Sequence, residues 1–100
     1  MAITVFVENM NHDRVRWYQD EGGGLAELVG LGKASRSALA AVYRHGDAML
    51  NTPQLWWLLD EVEGFGADEI PRHVRTAREA LVEAANEAIR LRGYLFFSGD

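Results

Sequence analysis

The longest regular pattern of apolar positions in the chain runs from residue 70 to residue 91. Apolar side chains recur there at alternating steps of four and three residues, at Ile70, Val74, Ala77, Leu81, Ala84, Ala88 and Leu91. This spacing places them on one stripe of an amphipathic helix. Asp68 is a suitable N-cap, Pro71 is tolerated in a first turn, and Gly93 is typical of a helix end. The pattern therefore predicts a long helix that begins near Asp68 and ends before Gly93.

Shorter patterns at the two ends of the chain predict strands. Residues 3 to 8 and residues 94 to 97 are rich in β-branched and aromatic side chains. A strand is also predicted at residues 13 to 18. Residues 14 to 18 alternate charged with apolar side chains, so Val15 and Trp17 should face a core while the arginines beside them face water. The polar residues between the first two strands predict a hairpin loop.

Shorter helical segments are predicted between the strands. Residues 25 to 31 form one, and residues 36 to 45 form another that ends at a glycine. Thr52 as N-cap, followed by Pro53, marks the start of a third helix, which ends near Glu63.

Together these elements predict an α+β fold. A small antiparallel sheet, made of an N-terminal hairpin and a C-terminal strand, packs against the long C-terminal helix and the shorter helices. With 100 residues and 48% hydrophobic content the chain can form one core but not two. We therefore expect a single domain over residues 1 to 100.

Composition and charge narrow the classes of function and location. The chain has no cysteine, which excludes disulfides, a thiolate nucleophile and a cysteine-based zinc site. The first apolar run ends by Val7 and has no basic segment before it, so we expect no signal peptide, no membrane span and a cytoplasmic location. The net charge of −5 disfavours nucleic acid and anionic membranes and favours a basic partner.

Candidate catalytic and metal-binding patterns fail on their spacing. The glycines and the lysine of residues 30 to 35 lack the arrangement of a phosphate-binding loop. His12, His45 and His73 include no pair at the four-residue spacing of metal-binding helices. We therefore predict no catalytic residue, no metal site and no cofactor, although an active site assembled from distant residues would leave no linear trace.

Two alternative functions have partial support. A small-ligand-binding protein or a small enzyme would have an apolar pocket, which we place between residues 25 to 45 and the sheet, with His45 or Tyr43 at its mouth. A helix-turn-helix over residues 25 to 43 would bind DNA. Arg36, however, occupies a position where that motif needs an apolar core residue, and the net charge also disfavours nucleic acid.

The most specific candidate for a binding residue is Trp57. The third predicted short helix has one apolar face, formed by Leu55, Leu58, Leu59 and Val62. Trp57 points away from that face, next to Gln54, Asp60 and Glu61 at helical offsets of three and four. An exposed tryptophan among polar and acidic side chains is typical of an interface anchor. The alternative is that another part of the chain covers Trp57, as is usual for tryptophan.

We therefore predict a non-catalytic, acidic protein-binding module, such as an inhibitor, an immunity-type protein or a regulatory partner of a basic protein. Its predicted partner-binding residues are Trp57, Gln54, Asp60, Glu61 and Glu63. Negative charge would steer the encounter, and the indole would supply affinity. A second copy of the chain is an alternative occupant of this surface. A homodimer through the long helix is less favoured, because its stripe contains many alanines.

Overall fold

The computed structural model describes residues 3–20, 22–32, 47–64 and 70–99. Within these ranges the elements are β1 (Ile3–Glu8), β2 (Arg14–Gln19), α1 (Gly24–Gly32), β3 (Asp47–Leu50), α2 (Thr52–Glu63), α3 (Arg72–Arg90) and β4 (Tyr94–Gly99). The four strands form one antiparallel sheet in the order β2-β1-β4-β3. The predicted α+β fold, with its N-terminal hairpin, C-terminal strand and long C-terminal helix, is confirmed. The helix predicted at residues 36 to 45 lies outside the described residues.

The helices cover one face of the sheet, and the core lies between helices and sheet. Ile3, Val5 and Val7 of β1 point into it and are at most 1% exposed. β4 adds Leu95 and Phe97, which lie opposite Val7 and Val5 respectively. The helix side of the core consists of Leu25, Leu28, Val29, Leu55, Leu58, Leu59, Val62, Val74, Leu81, Ala84, Ala85 and Ala88.

The apolar stripe predicted along the long helix is confirmed over most of its length. Val74, Leu81, Ala84 and Ala88 are buried, and Ala77 packs against the core. Because alanine side chains are short, α3 can approach the strands closely along this stripe.

α3 is shorter than predicted at both ends. Pro71 is its N-cap, and its φ of −61° and ψ of 158° are extended, so the prediction that Pro71 lies inside the first turn is wrong. Asp68, the predicted cap, lies outside the described residues. At the other end the helix stops at Arg90, and Leu91 is exposed.

The turn from α3 into β4 uses Gly93 for close packing. The left-handed residue of this turn is Arg92, with φ 54°. A Cβ atom on Gly93 would overlap the carbonyl oxygen of Glu8 and lie 2.8 Å from two backbone atoms of Asn9. The missing side chain therefore lets the start of β4 lie directly against the end of β1.

β2 faces the opposite way from the prediction. Val15 and Trp17 are exposed, whereas Tyr18 packs against the core. Tyr18 lies opposite Val5, which points into the core, and paired residues point to the same face. The prediction that Val15 and Trp17 face a core is therefore wrong.

Arg16 explains why the polar pattern was misleading here. Its position opposite Val7 places it on the helix side of the sheet. Its Nε donates a hydrogen bond to Glu87 of α3 at 2.8 Å, and this bond raises the pKa of Arg16 above its ordinary value. A part-buried ion pair thus occupies a position that the alternation assigned to water.

β3 is an element that the apolar pattern did not predict. Its residues Ala48 and Leu50 lie opposite Phe97 and Leu95, so they continue the core side of the sheet. The strand has only four residues and begins with Asp47. A segment of this length is too short to show a clear alternation.

α2 is capped by Asn51 rather than by the predicted Thr52. Asn51 Oδ1 accepts the backbone N–H of Gln54 at 3.1 Å, and Gln54 Oε1 accepts the backbone N–H of Asn51 at 2.8 Å. This reciprocal pair is a capping box, which satisfies two donors at the helix start. Pro53 lies in the first turn, where its missing N–H costs little.

Replacing Gly93 by Ala should lower the free energy of unfolding by about 2 kcal/mol or more, because the new methyl group overlaps fixed backbone. The matched control is Gly30→Ala in α1, where a Cβ would meet nothing within 4 Å. That change should raise stability by up to about 1 kcal/mol, since alanine favours helix. Urea unfolding followed by circular dichroism measures both, and equal stabilities would contradict the close packing at Gly93.

Replacing Asn51 by Ala should lower the free energy of unfolding by about 1 kcal/mol, because both bonds of the capping box are lost or weakened. Thr52→Ala should change it by less than about 0.5 kcal/mol. The same urea titration distinguishes the two positions. A larger loss of stability for Thr52→Ala than for Asn51→Ala would show that Thr52 is the cap, as the sequence predicts.

Candidate protein-binding surfaces

All three tryptophans of the chain are exposed. Trp17, Trp56 and Trp57 have exposed fractions of 61%, 55% and 66% respectively. Tryptophan is highly buried on average in single proteins and is enriched in protein interfaces. The surfaces that carry these residues are therefore the candidates for binding.

The first surface is the outer side of α2, where Trp56 and Trp57 are adjacent. The opposite side of the helix is buried through Leu55, Leu58, Leu59 and Val62. Trp57 therefore points away from the core, as predicted, and none of the described residues encloses it. Its role as a binding residue stays a prediction.

The other predicted binding residues differ in their environment. Asp60 and Glu63 are exposed beside Trp57. Gln54 already uses its side-chain oxygen in the capping box, and Glu61 interacts with another part of the chain. Asp60 and Glu63 are therefore the carboxylates that α2 presents most openly to a partner. Two further carboxylates that follow in the sequence, Asp68 and Glu69, lie outside the described residues.

The second surface is the face of the sheet opposite the described helices. Cross-strand pairing places Trp17 opposite Phe6, Phe6 opposite Phe96, and Phe96 opposite Met49. These four residues, which we call the aromatic row, cross all four strands. Met49 is 48% exposed, and Phe6 and Phe96 are partly exposed. A sheet face turned to water usually carries polar side chains, so this apolar row is unusual.

Ring contacts link the residues at the centre of the aromatic row. The ring centroids of Phe6 and Phe96 are 6.1 Å apart, with the planes inclined at 44°. The guanidinium carbon of Arg14 lies 3.9 Å from the Phe6 centroid and 5.6 Å from that of Phe96. This cation–π geometry places a positive charge at one corner of the face.

A histidine–carboxylate pair lies at the same end of the sheet. Glu8 is only 6% exposed, and its carboxylate lies 3.0 Å from His12 Nδ1 and 3.8 Å from Arg14 Nε. The His12 ring stacks on Tyr94, with centroids 4.2 Å apart. The Asn9 side chain accepts two backbone N–H groups of the same loop. These contacts stabilise the hairpin loop, and they compensate the cost of burying the Glu8 carboxylate.

Two features of the sequence hide the aromatic row. The alternation of residues in β2 predicts that Trp17 faces the core, and the four residues of β3 show no clear strand pattern. One signal was present: Phe6 lies between Val5 and Val7, so β1 is apolar on both faces. A strand with one face in water normally alternates.

A cavity of about 610 Å³ lies between the end of β2, the start of α1 and the first turns of α3. Three of its polar side chains, Asp20, His73 and Thr76, already have partners, whereas the buried Tyr18 hydroxyl has none among the described residues. The two carboxylate oxygens of Asp20 accept the backbone N–H groups of Leu25 and Ala26, and His73 pairs with Glu27. A ligand site needs polar groups that converge on the ligand, and the pairing of Asp20 and His73 leaves fewer of them free to do so. His45 and Tyr43, predicted at a pocket mouth, lie outside the described residues.

The described part of the chain contains no group of three or more histidine and carboxylate side chains that could hold a metal ion. None of its helices is long and apolar enough to cross a membrane. Comparisons of the chain with protein-family models, with curated proteins and with solved structures gave no match. The exposed surfaces are therefore the features of the described residues that indicate a function.

Tyr18 gives a prediction for alkaline pH. Its hydroxyl is buried without a hydrogen-bond partner among the residues that the structure describes, and burial raises the pKa of Tyr18 above its ordinary value. The unfolded chain ionises this phenol above about pH 10 while the folded chain keeps it neutral, so stability is full below that pH and falls as pH rises further.

Tyr18→Phe should reduce this alkaline loss and leave stability at pH 7 unchanged or up to about 1 kcal/mol higher, because an unpaired hydroxyl is removed. The measurement is the urea midpoint of the wild-type chain and of the variant, at pH 7 and at a pH above about 10. A marked loss of stability at pH 7 would show that the hydroxyl has a partner in solution.

Proposed function

We propose that the chain is a non-catalytic protein-binding module that docks a partner on the outer side of α2. The observation that carries the proposal is the exposure of Trp57 on an ordered helix beside Trp56. A large aromatic side chain adds much contact area on binding and loses few rotatable bonds, which is why tryptophan dominates many interfaces.

The rigidity of α2 supports this role. The capping box fixes the start of the helix, and four buried side chains hold its inner face against the core. The two indoles are thus presented from a platform that does not have to fold on binding. Such preorganisation lowers the entropic cost of association.

The charge around Trp57 indicates the kind of partner. Asp60 and Glu63 are exposed on the same helix, and the chain carries a net charge of −5. Carboxylates near an apolar anchor attract a partner with a basic rim and repel an acidic one. We therefore propose a basic protein, with inhibition or regulation of that protein as the function.

The test begins with affinity capture from the native cell, using the wild-type chain and two variants, followed by mass spectrometry. Trp57→Ala should leave the free energy of unfolding within about 0.5 kcal/mol of the wild-type value. It should weaken binding of the captured partner by about 2 kcal/mol or more. Trp17→Ala removes an equally exposed tryptophan from the sheet face and should leave capture unchanged. Titration calorimetry with the purified partner gives the affinities.

The proposed attraction between the carboxylates and a basic partner is tested by the rate of association. Asp60→Lys combined with Glu63→Lys should slow association and flatten its dependence on salt, because the attraction is then reversed near the anchor. A partner that binds Trp57→Ala as tightly as wild type would contradict the proposed surface. Faster association of the charge-reversed variant would contradict a basic partner.

A further inference from the structure

The aromatic row takes no part in the proposed function, since it lies on the sheet face away from the helices. Polar residues border it on both sides along the strands. Thr4 and Ser98 form a pair on one side, and Glu8 and Tyr94 form a pair on the other. An apolar centre with a polar border is the composition of a protein interface.

Opposite charges lie at two opposite corners of this face. Arg14 begins β2, at one edge of the sheet, and pairs with Glu8. Asp47 begins β3, at the other edge, and pairs with Ser98 at the far end of β4. Both side chains are exposed. The face is therefore complementary to itself in charge when it is turned over.

We propose that this face is the interface of a weak homodimer. A two-fold axis between the two faces, along the diagonal that joins the remaining corners, brings Arg14 of each copy to Asp47 of the other. The strands of the two sheets then cross near a right angle, which is a known packing of sheets. Phe6 and Phe96 of both copies meet at the centre, as an isologous contact requires.

The small area of the face indicates a weak dimer. Three strands of six residues and one of four cover at most roughly 19 Å by 20 Å, or about 400 Å² in projection. A standard stable interface buries about 800 Å² on each partner. We therefore expect the second copy to be held weakly and reversibly, rather than as a permanent dimer. Nucleic acid is the poorer occupant, because the net charge of −5 and the Asp47 carboxylate repel phosphate.

Sedimentation equilibrium from about 10 μM to about 1 mM tests the proposal on the full chain. Trp17→Ala should raise the dimer dissociation constant at least about tenfold, because an exposed anchor of the row is lost. Trp57→Ala is the matched control on α2 and should leave it within about twofold. This pair also separates the dimer from the proposed partner binding, for which the two variants have the opposite effects.

The charged corners are tested by exchange. Asp47→Arg should raise the dissociation constant about fivefold, because it faces Arg14 across the interface. Adding Arg14→Asp to that variant should restore most of the loss, provided that urea unfolding shows the hairpin intact. Arg14 also contacts Phe6 and Glu8, and Asp47 Oδ1 accepts the backbone N–H of Gly99 at 3.1 Å. Asp47→Arg therefore needs the same unfolding control, and with its fold intact it decides the question if the double variant is unstable.

Two results would overturn the proposal. The first is a monomer at every concentration, and the second is a dimer that Trp17→Ala leaves unchanged. With a monomer, the occupant is tested by adding a single-stranded oligonucleotide to the variant Trp56→Phe combined with Trp57→Phe and measuring whether the fluorescence of Trp17 is quenched. Quenching would assign the face to nucleic acid by base stacking.

Discussion

The close packing of α3 against the two central strands is the contact on which the rest of the structure depends. Ala84, Ala85 and Ala88 are fully buried, so the helix lies near the sheet along its second half. The short turn after the helix then leads through Gly93 directly into β4 beside β1. Because this arrangement directs the helices to one face, the other face of the sheet and the outer side of α2 are left to solvent.

The sequence predicted most strongly what depends on a long period. The stripe from Val74 to Ala88 extends over several turns and was recognisable without any partner. The orientation of Trp57 followed from the same helical geometry, because four apolar neighbours define the buried side of α2. The role of these residues in binding is not contained in the pattern, since it depends on a second molecule.

Elements that depend on distant partners could not be predicted. Arg16 lies on the helix side because Glu87 accepts its hydrogen bond from a position 71 residues away. β3 is a strand because β4 lies beside it, although its four residues show little alternation. The cap of α2 is Asn51, whose backbone is extended, and not the predicted Thr52; the neighbouring Thr52 and Pro53 did not indicate this. For Arg16 and β3 a tertiary contact decided between local alternatives, whereas the cap of α2 was decided by a local capping box.

The pairing of β1 with β4 has a consequence for how the chain is made. These neighbouring central strands join Ile3 to Gly99, so the sheet contains contacts between residues almost a full chain length apart. During synthesis the hairpin of β1 and β2 is complete early, yet the edge of β1 that pairs with β4 has no partner until β4 leaves the ribosome. An unpaired strand edge can pair with other strands in this interval, and topology of this kind slows folding.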